Sequence, residues 1–150
     1  MGKAIGDARR TRVDPNIEDE AAARAGAAAR ATCDVGTLHG TYLGANDGTV
    51  TGGADKGPFA AAEFQWFDGN GNIEGVFSAN YSRNITSKAT FSGTYTVDAD
   101  CTGTVTLTDG TQYDLFIAPD GSMFAWVQTY PPQYVVSGVE RRVTRQRVGE

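Results

Sequence analysis

His39 is the only histidine in the chain, and no serine or cysteine is placed to make it the base of a nucleophilic pair. In the alternation around it, His39 falls opposite Leu38 and Tyr42, away from the main apolar face. Glu63 and Glu74 lie on neighbouring predicted strands and would form a glycosidase-like carboxylate pair if the register brought them together. Asp68-Gly69-Asn70-Gly71-Asn72 invites comparison with a calcium loop, but Ile73 stands where such a loop needs glycine and Ala79 where it needs glutamate. Cys33 and Cys101, with only His39 to help them, do not make a zinc site. The chain has no G-x-S-x-G, C-x-x-C, H-E-x-x-H or P-loop spacing, which argues against classical hydrolytic, redox and phosphoryl-transfer chemistry. No metal or cofactor is implied.

What remains is aromatic. Tyr42, Phe77, Tyr81, Phe91, Tyr95 and Tyr113 fall on the apolar faces of their strands, and Phe64 with Trp66 and Phe124 with Trp126 join them if their strands face the same way. One reading is a packed core whose tyrosine hydroxyls reach rims or waters. The other is a pocket with apolar walls and a few polar points. In that pocket the tyrosines and Gln128 would bind a carbonyl, and tryptophan would stack on a conjugated system.

These side chains need a sheet to position them. Phe91–Leu107 reads as two strands, with Phe91, Gly93, Tyr95 and Val97 alternating against hydroxyl residues, then Val105 and Leu107, around the polar turn 98–103. Further strands are predicted over 37–44, 59–67, 73–82, 111–118, 123–129 and 133–143, with a long polar loop from Ala45 to Pro58. Strand 59–67 is apolar on both faces, which calls for a cover outside, from the N-terminal segment or from a second subunit in a homodimer. Eight strands joined mainly by short turns predict an all-β fold, an eight-stranded antiparallel up-and-down β-barrel, with a two-sheet sandwich as the alternative. Residues 1–31 form a separate segment: Asp14-Pro15-Asn16 can start a helix through the alanine-rich run that follows, as a loose leader or as a lid over the domain. The barrel domain spans 32–143, and 144–150 is a basic tail, read as a solvated strand end.

Between 32 and 139, three basic residues face eleven acids, a balance that argues against nucleic acid. No apolar run approaches the roughly 20 residues needed to span a bilayer. The first residues lack the apolar core of a secretory signal, so the chain reads as cytoplasmic, or as secreted with a leader removed upstream. Cys33 and Cys101 would be paired in the second case and reduced in the first.

Cys33 followed by Leu38-His39-Gly40-Thr41-Tyr42, then Phe67-Asp68-Gly69-Asn70-Gly71-Asn72, Gly93-Thr94-Tyr95-Thr96-Val97 and Asp100-Cys101-Thr102-Gly103-Thr104, resembles a set of small bacterial β-barrel proteins, over roughly residues 33–130. More loosely, the architecture resembles the allene oxide cyclase-like barrels, which include bacterial enzymes of intramolecular (4+2) cyclisation in spirotetronate and spirotetramate biosynthesis. The resemblance implies a greasy polyene held in the lumen, no cofactor, and an N-terminal segment closing the mouth.

The leading expectation is therefore a cofactor-independent cyclase acting on a hydrophobic, natural-product-like substrate. Tyr95 and Trp126 would be its catalytic residues, and Tyr42, Phe64, Trp66, Phe77, Tyr81, Phe91, Tyr113, Phe124 and Gln128 would line the ligand. Orientation of a flexible chain would supply the barrier lowering, aided by a tyrosine hydrogen bond to a carbonyl. The alternatives are a lipocalin-like binding protein and a solid-cored structural or interaction domain.

Overall fold

A computed structural model describes residues 30–149. The chain divides into two units, Met1–Ala31 and Thr32–Glu150, and the second carries all the secondary structure of the described residues. The helix expected before Ala31 lies outside them.

After a single 3-10 turn, Val35–Thr37, eight strands follow: β1 His39–Val50, β2 Gly57–Asp68, β3 Asn72–Tyr81, β4 Asn84–Val97, β5 Thr102–Leu107, β6 Gln112–Ile117, β7 Met123–Tyr130 and β8 Tyr134–Thr144. Each pairs antiparallel with the next, and β8 returns to β1, so the sheet is a closed barrel in sequence order. The sandwich is thereby excluded. Closure leaves no unpaired edge on a chain this rich in strand.

Four of the seven hairpins share one device. An aspartate at or in the turn accepts the backbone N–H two residues on: Asp68 from Asn70 at 2.7 Å, Asp100 from Thr102 at 3.1 Å, Asp109 from Thr111 at 2.9 Å and Asp120 from Ser122 at 2.9 Å. These Asx turns satisfy donors that the ladder cannot reach and fix where each strand reverses.

Three stretches depart from the sequence expectation, one of them residues 84–90, which lie in no predicted strand and form the first half of β4. Ala45–Val50, read as the start of a loop, continues β1 and pairs with both β2 and β8. Gly48 is needed there: a Cβ at that position would lie 1.9 Å from the Val135 carbonyl oxygen. The basic tail is not simply a solvated strand end. Thr41 Oγ1 donates to the Gln146 carbonyl at 2.7 Å, and Arg147 pairs with Glu74. Phe64 and Trp66 share an outer-surface groove with Arg147 and Val148, so the tail supplies part of the cover that β2's apolar outer face required.

Alternation sends one face of every strand inward. At one end of the barrel the interior is solid: Leu38, Tyr42, Phe67, Ile73, Tyr95 and Phe124 are all buried. Phe67 packs its ring against Tyr42 and Phe124 at 5.3 Å and against Tyr95 at 4.9 Å, in edge-on geometries that suit aromatic quadrupoles. The same end is closed by the disulfide between Cys33 and Cys101, whose Cα atoms are 5.0 Å apart, and by the hydrogen bond from Cys33 N–H to the Ala99 carbonyl at 3.2 Å.

Candidate functional site

The other half of the barrel is not filled. A cup of about 540 Å3 opens between the C-terminal half of β1, the N-terminal half of β2, the end of β3 and the facing segments of β4 to β8. Three aromatic pairs wall it: Phe59 with Tyr81 at 4.8 Å, Phe77 with Phe91 at 6.0 Å, and Tyr113 with Trp126 at 4.9 Å. Tyr134 and Asp55 also line it, joined by a hydrogen bond from the phenol to the carboxylate at 3.1 Å.

The polar residues of the cup are organised around Glu63. Asn46 Nδ2 and Gln65 Nε2 both donate to Glu63 Oε1, at 2.9 and 3.1 Å, and Tyr113 Oη donates to Gln65 Oε1 at 3.1 Å. Beside them, on β8, Glu140 is fully buried at 0 % exposure. Trp126 Nε1 donates to its Oε1 at 3.2 Å, while Oε2 has no hydrogen-bond partner of ordinary geometry among the described residues.

Gly44 explains how two glutamates meet inside a barrel. It is the register partner of Glu63 on one side and of Glu140 on the other. With no side chain of its own, it leaves room that the Glu140 carboxylate fills: a Cβ there would lie 2.2 Å from Glu140 Oε2. Burial, followed by hydrogen bonding and negative charge from Glu63, raises the Glu140 pKa to about 9, against smaller opposing contributions from Trp126 and Gln65. Glu140 is therefore a neutral acid at neutral pH, as like-charged partners in a low-dielectric site require.

The acidity extends to the mouth. Asp55, Glu63 and Asp109 line the cup, and no lysine or arginine does so among the described residues. Three tyrosines register this field. Burial raises the pKa of Tyr81, and neighbouring Tyr134 and then the charges of Asp55, Asp109 and Glu63 raise it further; Tyr134 is raised by burial and then by Asp55, and Tyr113 by burial and then by Glu63 and Glu140.

The residues singled out from sequence divide into three groups. Phe77, Tyr81, Phe91, Tyr113, Trp126 and Gln128 line the cup. Tyr42, Tyr95 and Phe124 belong to the solid end, where the Tyr42 hydroxyl donates to the Gly121 carbonyl and the Tyr95 hydroxyl is shared between the carbonyls of Val35 and Leu38. Phe64 and Trp66 face outward into the groove beside the tail. Glu63 and Glu74 do not form a carboxylate pair: Glu63 lines the lumen, whereas Glu74 is on the outside with Arg147. The partner of Glu63 is Glu140, which falls within the predicted strand 133–143. The alternation Tyr134, Val136, Gly138, Glu140 carried the signal that it points inward.

Comparison with protein-family models, with curated proteins and with solved structures finds no match.

Proposed function

We propose that this barrel is a receptor for a small molecule with an apolar body and a polar end, held in the lumen cup. The observation that carries the proposal is the half-empty interior: about 540 Å3 with aromatic walls and a small set of convergent polar groups. Ligand pockets commonly enclose roughly 300–1,000 Å3 and are built in this way. A solid-cored structural domain would have no reason to place Asn46, Glu63, Gln65 and Glu140 in its interior, where each must be desolvated.

Filling the cup tests the reading. Ala61 lines it and Ala60, next on the same strand, is exposed. Ala61→Trp is expected to abolish uptake of hydrophobic probes, measured by isothermal titration calorimetry, while Ala60→Trp leaves it intact. Equal binding by the two variants would place the ligand elsewhere.

A second reading is catalytic: cofactor-independent cyclisation of a flexible, conjugated ligand in the same cup. The feature favouring it is the Tyr113–Trp126 wall, which offers a stacking surface beside a phenol. Trp126→Ala is expected to lower turnover of a candidate polyene at least tenfold, with Trp126→Phe retaining part of it. Unchanged product by mass spectrometry would leave binding as the function. The Cys33–Cys101 disulfide supports an oxidising compartment as the place of work, since such bonds rarely persist in a reducing cytosol.

A further inference from the structure

We infer that the ligand of the cup is an organic cation: an amine, protonated or fully substituted at nitrogen, carried on an apolar body. This rests on the cup being a binding site and names the chemical class of its occupant.

Three features in and beside the cavity agree. The first is the sign of its charge. Its charged lining residues are Asp55, Glu63 and Asp109, with no basic side chain among the described residues to neutralise them. An anionic ligand would meet repulsion at the mouth and again at Glu63, whereas a cation is drawn inward at both points. The second is the wall. Phe59 with Tyr81, Phe77 with Phe91, and Tyr113 with Trp126 surround the space with rings, whose faces attract a desolvated ammonium group. Neutral apolar ligands would also gain from these rings, so they do not decide the class without the charge.

The third feature is the buried acid on β8, which stands behind the cup's lining rather than in it. Glu140 is completely buried, and its Oε2 has no hydrogen-bond partner of ordinary geometry among the described residues. Glu63, against which it lies across Gly44, accepts from both Asn46 and Gln65. Such an arrangement is costly to bury. A neutral hydrocarbon gives it nothing in return, whereas a cation seated against Glu63 compensates the negative charge held there.

The experiment uses three probes with one body and different heads: 4-phenylbutylammonium, 4-phenylbutanol and 4-phenylbutanoate. Each is titrated into the full, isotopically labelled chain and followed by amide shifts of the cup residues. The ammonium is expected to bind at least tenfold more tightly than the alcohol, with the carboxylate weakest. Glu63→Gln is expected to reduce the ammonium-to-alcohol preference to threefold or less. Should that variant not fold, Asp55→Asn at the mouth reads the same charge, with an expected threefold loss in the ammonium-to-alcohol preference. If the alcohol or the carboxylate binds as tightly as the ammonium, the cation assignment is overturned and the cup remains a binding site. If none of the three shifts a cup residue, the binding site itself falls, and the assignment with it.

Discussion

The double variant Cys33→Ser/Cys101→Ser is expected to lose about 4 kcal/mol of stability. The two cysteines are 68 residues apart. In the chain-entropy account, closing a loop of that length removes roughly 4 kcal/mol of freedom from the unfolded chain. The bridge also holds the segment entering β1 against the β4–β5 turn, where Cys101 sits at a positive φ of 64°. Without it, Cys33 keeps only its backbone bond to Ala99. A fall in melting temperature of about 10 °C or more follows for a chain of this size. The disulfide lies at the solid end and the cup opens at the other, so ligand affinity measured well below the transition should be unaltered. A variant, or a fully reduced protein, that melts with the wild type would show that the bridge adds nothing to the packed aromatic end.

How far the sequence reveals this molecule depends on what each strand faces. β5 and β6 are legible because Val105 and Leu107, and Tyr113, Leu115 and Ile117, recur at every second position, and the barrel turns that set inward while Phe116 between them is exposed. The second half of β1 is hidden because Asn46, Asp47 and Gly48 carry turn chemistry, yet Asn46 faces a polar lumen and Gly48 yields space to β8. The first half of β4 has too few apolar residues to show a period, and Lys88, at a φ of 51°, sits where its pairing with β3 shifts register. Alternation likewise shows which aromatics point inward, but not which half of the barrel they occupy. Tyr95 and Tyr113 look alike in sequence; one belongs to the solid end and the other lines the cup. Glu140 is the clearest case. Its inward direction is written in β8, but its meeting with Glu63 depends on two registers that share Gly44, and no local pattern reports a register between strands so far apart in sequence.

That meeting gives the second large effect, and its sign is opposite to that of most core substitutions. Glu140→Gln is expected to stabilise the protein, by about 2 kcal/mol at neutral to mildly alkaline pH, because it replaces a buried acid with a neutral group of the same shape. In the folded chain the Glu140 pKa is raised from 4.5 to about 9. A carboxyl raised on folding leaves stability intact below its unfolded value and removes it progressively as pH climbs towards its folded value, since the unfolded chain ionises first. The gain from Glu140→Gln should therefore be near zero below about pH 4.5, grow above it, and level off near pH 9. The groups acting on Glu140 are Glu63 and Gln65 from β2 and Trp126 from β7, of which only Glu63 carries charge. The glutamine amide can donate towards Glu63 as the protonated acid does, so the substitution keeps that hydrogen bond at every pH. Urea unfolding of both proteins across this pH range measures the difference directly. A difference independent of pH would mean that Glu140 is already ionised in the folded state. The same measurement bears on the ligand: a cation seated against Glu63 offsets the charge that raises the Glu140 pKa, so saturating 4-phenylbutylammonium should shift the levelling-off to lower pH, whereas 4-phenylbutanol should leave it in place.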